Sequence, residues 1–255
     1  MNKKISYEQQ LISHRLLKGL NLTGTFPAEF GNLTHLQELD LTRNHINGQL
    51  PSSLANAPLV KLSLLGNRLN GSIPKEIGDI GTLEELVLED NQLTGSLPAS
   101  LGNLNGLKRL LLSANNFTGK IPDSFGKLTN LVDFRVDGNG LSGKIPEFIG
   151  NWINLDRLDM QGTSMENPIP STISQLKNLT QLRISDLKGS FISFPNLTDM
   201  INMEELVLRN CLINDSIPEY IGEMNKLSTL TIHQYIIKRY KYTTYKEGAK
   251  YLIHE

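Results

Sequence analysis

Apolar residues recur along the chain in a frame of L-x-L-x-x-N. Leu39 and Leu41 lead to Asn44, Leu62 and Leu64 to Asn67, Leu86 and Leu88 to Asn91, Leu110 and Leu112 to Asn115, and Phe134 and Val136 to Asn139. The first step is 23 residues and each later one is 24. The frame continues at Leu158/Met160, Leu182/Ile184, Leu206/Leu208 and Leu230/Ile232, and a partial copy, LKGLNLTGTFP, precedes it at residues 17–27. Alternation at period two predicts a short strand in each repeat, leucines inward and neighbours outward. A fixed period of this length over most of a chain predicts a solenoid. We expect an α/β repeat architecture, a right-handed curved superhelix with a parallel β-sheet on its concave face. Short helical turns and extended segments would form the convex side.

Each repeat position has a physical task. One repeat cannot bury its leucines alone; its neighbours do so, at about 1.5–3 kcal/mol for each fully buried side chain. The recurring asparagines, Asn44, Asn67, Asn91, Asn115 and Asn139, turn inward to satisfy the backbone of the sharp turn after the strand. A glycine then permits the next turn, and a proline after Ile or Leu fixes an extended segment. The closing xxLGxL, as in Ala99 to Leu104, predicts the helical turn.

One stretch invites a different reading. DGNGLSGKIP, Asp137 to Pro146, places Gly138, Gly140 and Gly143 in the G-x-G-x-x-G spacing of nucleotide-binding loops. The parallel stretches Gly66–Pro74, Glu89–Pro98 and Ser113–Pro122 share its skeleton and replace the first two glycines freely. Gly143 is therefore the turn glycine of the repeat, with Gly138 and Gly140 in variable slots.

The frame weakens towards the end. Thr163 stands at the asparagine slot of the sixth repeat and Cys211 at that of the eighth, while Asn167 and Asp215 replace the turn glycine. The seventh repeat keeps its length but has Leu187 at the asparagine slot and no G-x-I-P register, which predicts an irregular convex loop and a local kink. The organisation expected is a non-repeat segment over residues 1–15, repeats over 16–232, and a divergent tail over 233–255 rich in Tyr and Lys/Arg. Residues 1 to about 12 and the tail are expected to pack weakly.

Composition narrows the function. Net charge is −1, so no polyanion-binding, and hence no nucleic-acid, role is indicated. The single cysteine, Cys211, forms no internal disulfide. The five histidines, His14, His35, His45, His233 and His254, make no metal-ligand or triad spacing. No catalytic group, metal or cofactor is read. The N-terminus shows no apolar run of secretory length, and no membrane-spanning stretch is seen in the chain.

The consensus L-x-x-L-x-x-L-x-L-x-x-N-x-L-x-G-x-I-P-x-x-L/I-G-x-L, over residues 16–230, resembles the plant-specific leucine-rich repeat of receptor-like kinase ectodomains. The stretches at 17–51 and 157–187 look like the subfamily that carries a malectin-like domain between repeats and membrane. The resemblance implies a recognition module at the plasma membrane or extracellular face, binding a peptide, a glycan-linked ligand or a co-receptor ectodomain. The chain departs from it in lacking the paired-cysteine caps and any V-A-I-K, H-R-D or D-F-G kinase motif. A polygalacturonase-inhibitor-like or scaffold protein, or a receptor fragment without function, are the alternatives.

Nine strands span about 38 Å, enough for an extended peptide of about 11 residues. The central outward slot reads Asp40, Ser63, Val87, Leu111, Arg135, Asp159, Arg183, Val207 and Thr231. Val87 and Leu111 are expected as exposed apolar contacts, and Arg135, Arg157, Arg183 and Arg209 as a basic patch interrupted by Asp133 and Asp159. Candidate ligand contacts are thus Val87, Leu111, Arg135, Asp159, Arg183 and Arg209. The N-x-S/T sequon occurs at Asn21, Asn32, Asn70, Asn116, Asn178, Asn196 and Asn214, the expected N-glycosylation positions.

Overall fold

The computed structural model describes residues 14–233 and 250–251. Among the described residues two parallel sheets stack the coils, one of 11 strands along the whole stack and one of 7 that ends at Ser164–Glu166. The long sheet is built from the L-x-L segments. Leu39, Leu62, Leu86, Leu110, Phe134, Leu158, Leu182, Leu206 and Leu230 stand opposite one another from strand to strand, a register that preserves the sequence frame. Its first strand is His14–Leu16, paired with Glu38–Asp40, so the sheet begins just before the expected boundary at residue 16.

The short sheet was not read from the sequence. Its strands run from Thr23–Thr25 through His45–Gln49, Arg68–Gly71, Gln92–Ser96, Asn116–Gly119 and Gly140–Lys144 to Ser164–Glu166. In these segments Ile46, Leu69, Leu93, Phe117, Leu141 and Met165 are buried between more exposed neighbours. The alternation is real, but it spans too few residues to stand out beside the glycine turn.

Eight short 3₁₀ helices, from Ala28–Asn32 to Glu219–Glu223, complete the coils. Each follows a proline in extended conformation, φ between −60° and −76°. The glycine within many of them allows one coil to rest on the next. A Cβ on Gly78 would overlap the Ser100 carbonyl, and one on Gly102 the Ser124 carbonyl. The core between sheets and helices is one continuous cluster, with Trp152 fully buried, its indole Nε1 donating to the Phe125 carbonyl at 3.0 Å.

The asparagine ladder has the expected role. Asn115 Nδ2 donates to the carbonyls of Leu112 at 3.1 Å and Ser113 at 3.2 Å in its own turn, and of Leu88 at 2.9 Å in the preceding coil. Its Oδ1 accepts from the amide of Leu93 at 3.0 Å. Asn44, Asn67, Asn91 and Asn139 repeat this pattern. Cys211 substitutes in part, its thiol lying 3.4 Å from the Ile184 carbonyl and 3.5 Å from that of Arg209. Burial pushes the thiol pKa up to about 12, which suits packing and not nucleophilic chemistry.

The residue before the ladder asparagine corrects the sequence reading of Gly138. That slot is left-handed in every repeat: Gly19, Arg43, Gly66, Asp90, Ala114, Gly138, Gly162, Asp186 and Asn210 have φ between 53° and 68°. Gly138 thus occupies a conformationally restricted position, not a free one. Neighbouring repeats tolerate side chains there at a cost of about 1–2 kcal/mol.

The seventh repeat departs from the pattern where expected. No 3₁₀ helix lies between Ser171–Gln175 and Glu219–Glu223, and the short sheet ends at Ser164–Glu166. Tyr220 from the next coil takes over, its hydroxyl donating to the Pro195 carbonyl at 2.8 Å and accepting from the Leu197 amide at 3.1 Å. The long sheet passes this point without a register shift, Leu182 opposite Leu206. In the tail, Lys250–Tyr251 pairs in parallel with Thr229–His233; the rest of the expected tail and residues 1–13 lie outside the described residues.

Two stability measurements test this account. Ala114→Gly is expected to raise unfolding free energy by about 0.5–1 kcal/mol by relieving the left-handed alanine. Asn115→Ala is expected to lower it by about 3 kcal/mol, since buried carbonyls of two coils lose their donor. Urea denaturation of both variants checks the opposite signs.

Candidate functional surface

The outward face of the long sheet, the concave face of the solenoid, carries two columns of side chains. In the first, Glu38, Lys61, Glu85, Arg109, Asp133 and Arg157 alternate in sign from strand to strand. Neighbouring strands lie about 4.8 Å apart, close enough for like charges directly opposite to destabilise the sheet. Alternation turns that repulsion into attraction. Lys61 lies 3.4 Å from Glu85, and Arg109 bridges Glu85 at 3.5 Å and Asp133 at 3.8 Å.

The second column is the central slot. Here the sequence expectation requires correction. Val87 is 8 % and Leu111 2 % exposed, so neither offers an apolar surface to solvent. They stand beside the long charged side chains of Glu85, Arg109 and Arg135, whose aliphatic stems cover apolar neighbours. Period-two alternation says only which side of the sheet a residue faces; on a crowded inner face, outward does not mean wet.

The basic patch is also changed in character. Arg135 holds Asp133 through two hydrogen bonds of 2.8 and 2.6 Å and reaches Glu89 at 3.9 Å. Asp159, 2 % exposed, lies between Arg157 at 3.3 Å and Arg183 at 3.6 Å, and Arg183 also holds Glu205 at 2.7 Å. Arg209 lies 3.8 Å from Asp186 and is half exposed. The arginines thus belong to a network with nearly matched carboxylates.

Two carboxylates escaped notice in the sequence: Glu89 and Asp137, the latter accepting from Ser113, lie in the column just after the second leucine. Burial raises the Glu89 pKa above the ordinary carboxylate range, with Asp137 and Asp133 adding to it and Arg135 opposing. Burial likewise raises that of Asp159, with Asp137 adding. The signal was present as acidic residues two repeats apart with Ser113 between them, but only the stacking brings them close.

Hydrogen-bonding capacity is left unspent at one place on this face. Arg157 Nε, Gln181 Oε1 and Arg183 Nε are buried and lack a partner among the described residues. All three belong to the adjacent strands Arg157–Met160 and Gln181–Ser185. The sequons fall elsewhere. Asn21, Asn32, Asn70, Asn116, Asn178, Asn196 and Asn214 are all exposed, and none lies on the long sheet. Among the described residues no group of His, Cys, Asp or Glu could hold a metal ion, and no helix is long and apolar enough to cross a membrane.

A raised carboxylate pKa has a defined consequence. The folded state binds the Glu89 proton more tightly than the unfolded chain. This stabilising contribution is complete below the unfolded value, about 4.3, and is lost as pH rises through the folded one. Glu89→Gln is therefore expected to gain stability relative to the parent as pH rises from about 4 to about 7. Melting temperatures of both proteins across that range provide the check.

Comparison with known proteins agrees with this architecture. Leucine-rich-repeat family models match residues 81–141 and 35–57. The chain is 68 % identical over 217 residues to a probable LRR receptor-like serine/threonine-protein kinase of Arabidopsis thaliana, covering 85 % of this chain and 21 % of that protein. A second such kinase from the same plant is 66 % identical over 206 residues, 81 % of this chain and 20 % of the relative. The chain thus spans about one fifth of the length of these relatives. Among solved structures, it resembles the Arabidopsis receptor kinase HAESA in complex with the peptide hormone IDA and the co-receptor SERK1, with TM-score 0.77 and 30 % identity, over 84 % of this chain and 36 % of that one. The plant peptide hormone receptor RGFR1 in complex with RGF2 gives TM-score 0.68 and 30 % identity, over 83 % and 38 %. The chain carries leucine-rich repeats, and these are similar to the repeats of the plant LRR receptor-like kinases.

Proposed function

We propose that this chain is a recognition region of a plant cell-surface receptor kinase, receiving an extended peptide, alone or with a co-receptor ectodomain, on the outward face of its long sheet. The observation that carries this reading is the row of part-exposed arginines, Arg135, Arg183 and Arg209, along the outward face of the long sheet. A peptide backbone offers both a carbonyl and an amide, which complement guanidinium donors and a glutamine oxygen. The relatives' kinship and the peptide complexes formed by HAESA and RGFR1 support it.

The contacts are then Arg135, Arg183 and Arg209, with Gln181 added and with Asp159, Val87 and Leu111 acting from beneath. A ligand has to compete with existing ion pairs, so binding would exchange one charged partner for another and favour sequence over bulk. Recognition of this kind involves no bond making or breaking by the chain itself.

Selection of a random peptide library about 11 residues long, the span of the face, on the immobilised chain tests the proposal. Selected peptides are expected to lose about tenfold in affinity, or about 1.4 kcal/mol, on combined Arg183→Ala and Arg209→Ala substitution. Unchanged affinity in a variant whose circular dichroism matches the parent would sink the assignment of this face.

A further inference from the structure

The short sheet presents a chemistry unlike that of the long one. On its outward face Asn47, Asn70, Gln92, Thr94, Asn116 and Thr118 are exposed. Charged residues on these strands are confined to His45 and Arg68 near one end and Lys144 and Glu166 near the other, and none of them forms an ion pair among the described residues. The middle of the face is therefore a sheet of amides and hydroxyls. Two sequon asparagines stand within it. Asn70 lies opposite Gln92 and Asn116 opposite Thr94, so one strand separates them.

Asn178, in the same three-residue pattern, has a different setting. Its Nδ2 donates to the Ile153 carbonyl at 3.0 Å, a coil away. Asn130, Asn154 and Asn202 make the equivalent bond to Asn105 at 2.8 Å, Thr129 at 3.1 Å and Lys177 at 3.0 Å. These four form a second asparagine ladder, on the segment that leads back into the long sheet. The sequon hydroxyl is engaged as well, Thr180 Oγ1 donating to Asp156 Oδ1 at 2.7 Å.

We infer that the outward face of the short sheet is the glycan-bearing side of the solenoid, modified at Asn70 and Asn116, and that Asn178 is a structural rung that stays bare. The inference rests on the cell-surface reading above, since the modification needs a compartment that supplies a diphosphate-linked oligosaccharide. In the transfer, Nδ2 bonds to the sugar's anomeric carbon, that carbon's bond to the diphosphate oxygen breaks, and an Nδ2 proton leaves to base. At Asn70 and Asn116 the amide projects from the sheet and the surrounding hydroxyls and amides match a sugar's hydrogen-bonding groups. At Asn178 the same bond would replace a ladder hydrogen or crowd it with a sugar ring, breaking a rung between two coils. Both glycans would lie away from the proposed binding face.

Secretion of the full chain from a eukaryotic host behind a cleavable leader, followed by mass-spectrometric site occupancy of the folded pool, tests this. Asn70 and Asn116 are expected to be modified in most molecules, and Asn178 severalfold less often. Equal or greater occupancy at Asn178, or bare asparagines at both sheet positions, overturns it. Combined Asn70→Gln and Asn116→Gln should remove two glycan steps in gel mobility of the secreted protein, and Asn178→Gln none; should a variant fold poorly, site occupancy in the folded parent decides. Peptide-binding failure would leave these occupancies unaffected, so the two proposals fail separately.

Discussion

A coil this short must reverse sharply after its strand, and the turn's carbonyls and amides then lie beneath the next coil, out of reach of water. The buried asparagine amide resolves this, bonding to its own turn and to the one before it. Because each side chain serves two coils, the repeats are stable only as neighbours. Much else follows from that sharing: the left-handed residue that aims the asparagine, the short strand beyond it, and the glycine that lets the helices pack.

The two sheet faces then divide the surface chemistry. Side chains on the long sheet are held side by side at strand spacing, which forces charges into alternation and buries carboxylates such as Asp159 among arginines. The face is electrostatically nearly closed, so a ligand received there, as proposed, has to exchange with existing ion pairs. The short sheet faces another way and carries no such network. The glycans proposed for its uncharged middle would lie away from the proposed binding face.

Irregularity is concentrated in the seventh repeat, where Leu187 replaces the ladder asparagine and no helix forms. The convex segment of this coil is tied to the following repeat instead, Tyr220 bonding Pro195 and Leu197. The long sheet keeps its register because its strands pair directly across this repeat, Gln181–Ser185 against Glu205–Arg209.

The sequence alone determined the solenoid, the strand register, the asparagine ladder and the irregular repeat, because each is written in residues separated by one fixed interval. It also located the outward slot containing Arg135, Asp159 and Arg183. It could not show that Val87 and Leu111 are covered, that the arginines are paired, or that Asn178 differs from Asn70. Those properties depend on side chains from separate coils meeting across the stack, at angles and distances that no single repeat contains. Local pattern fixes the direction a residue faces; only the assembled stack decides what it meets there.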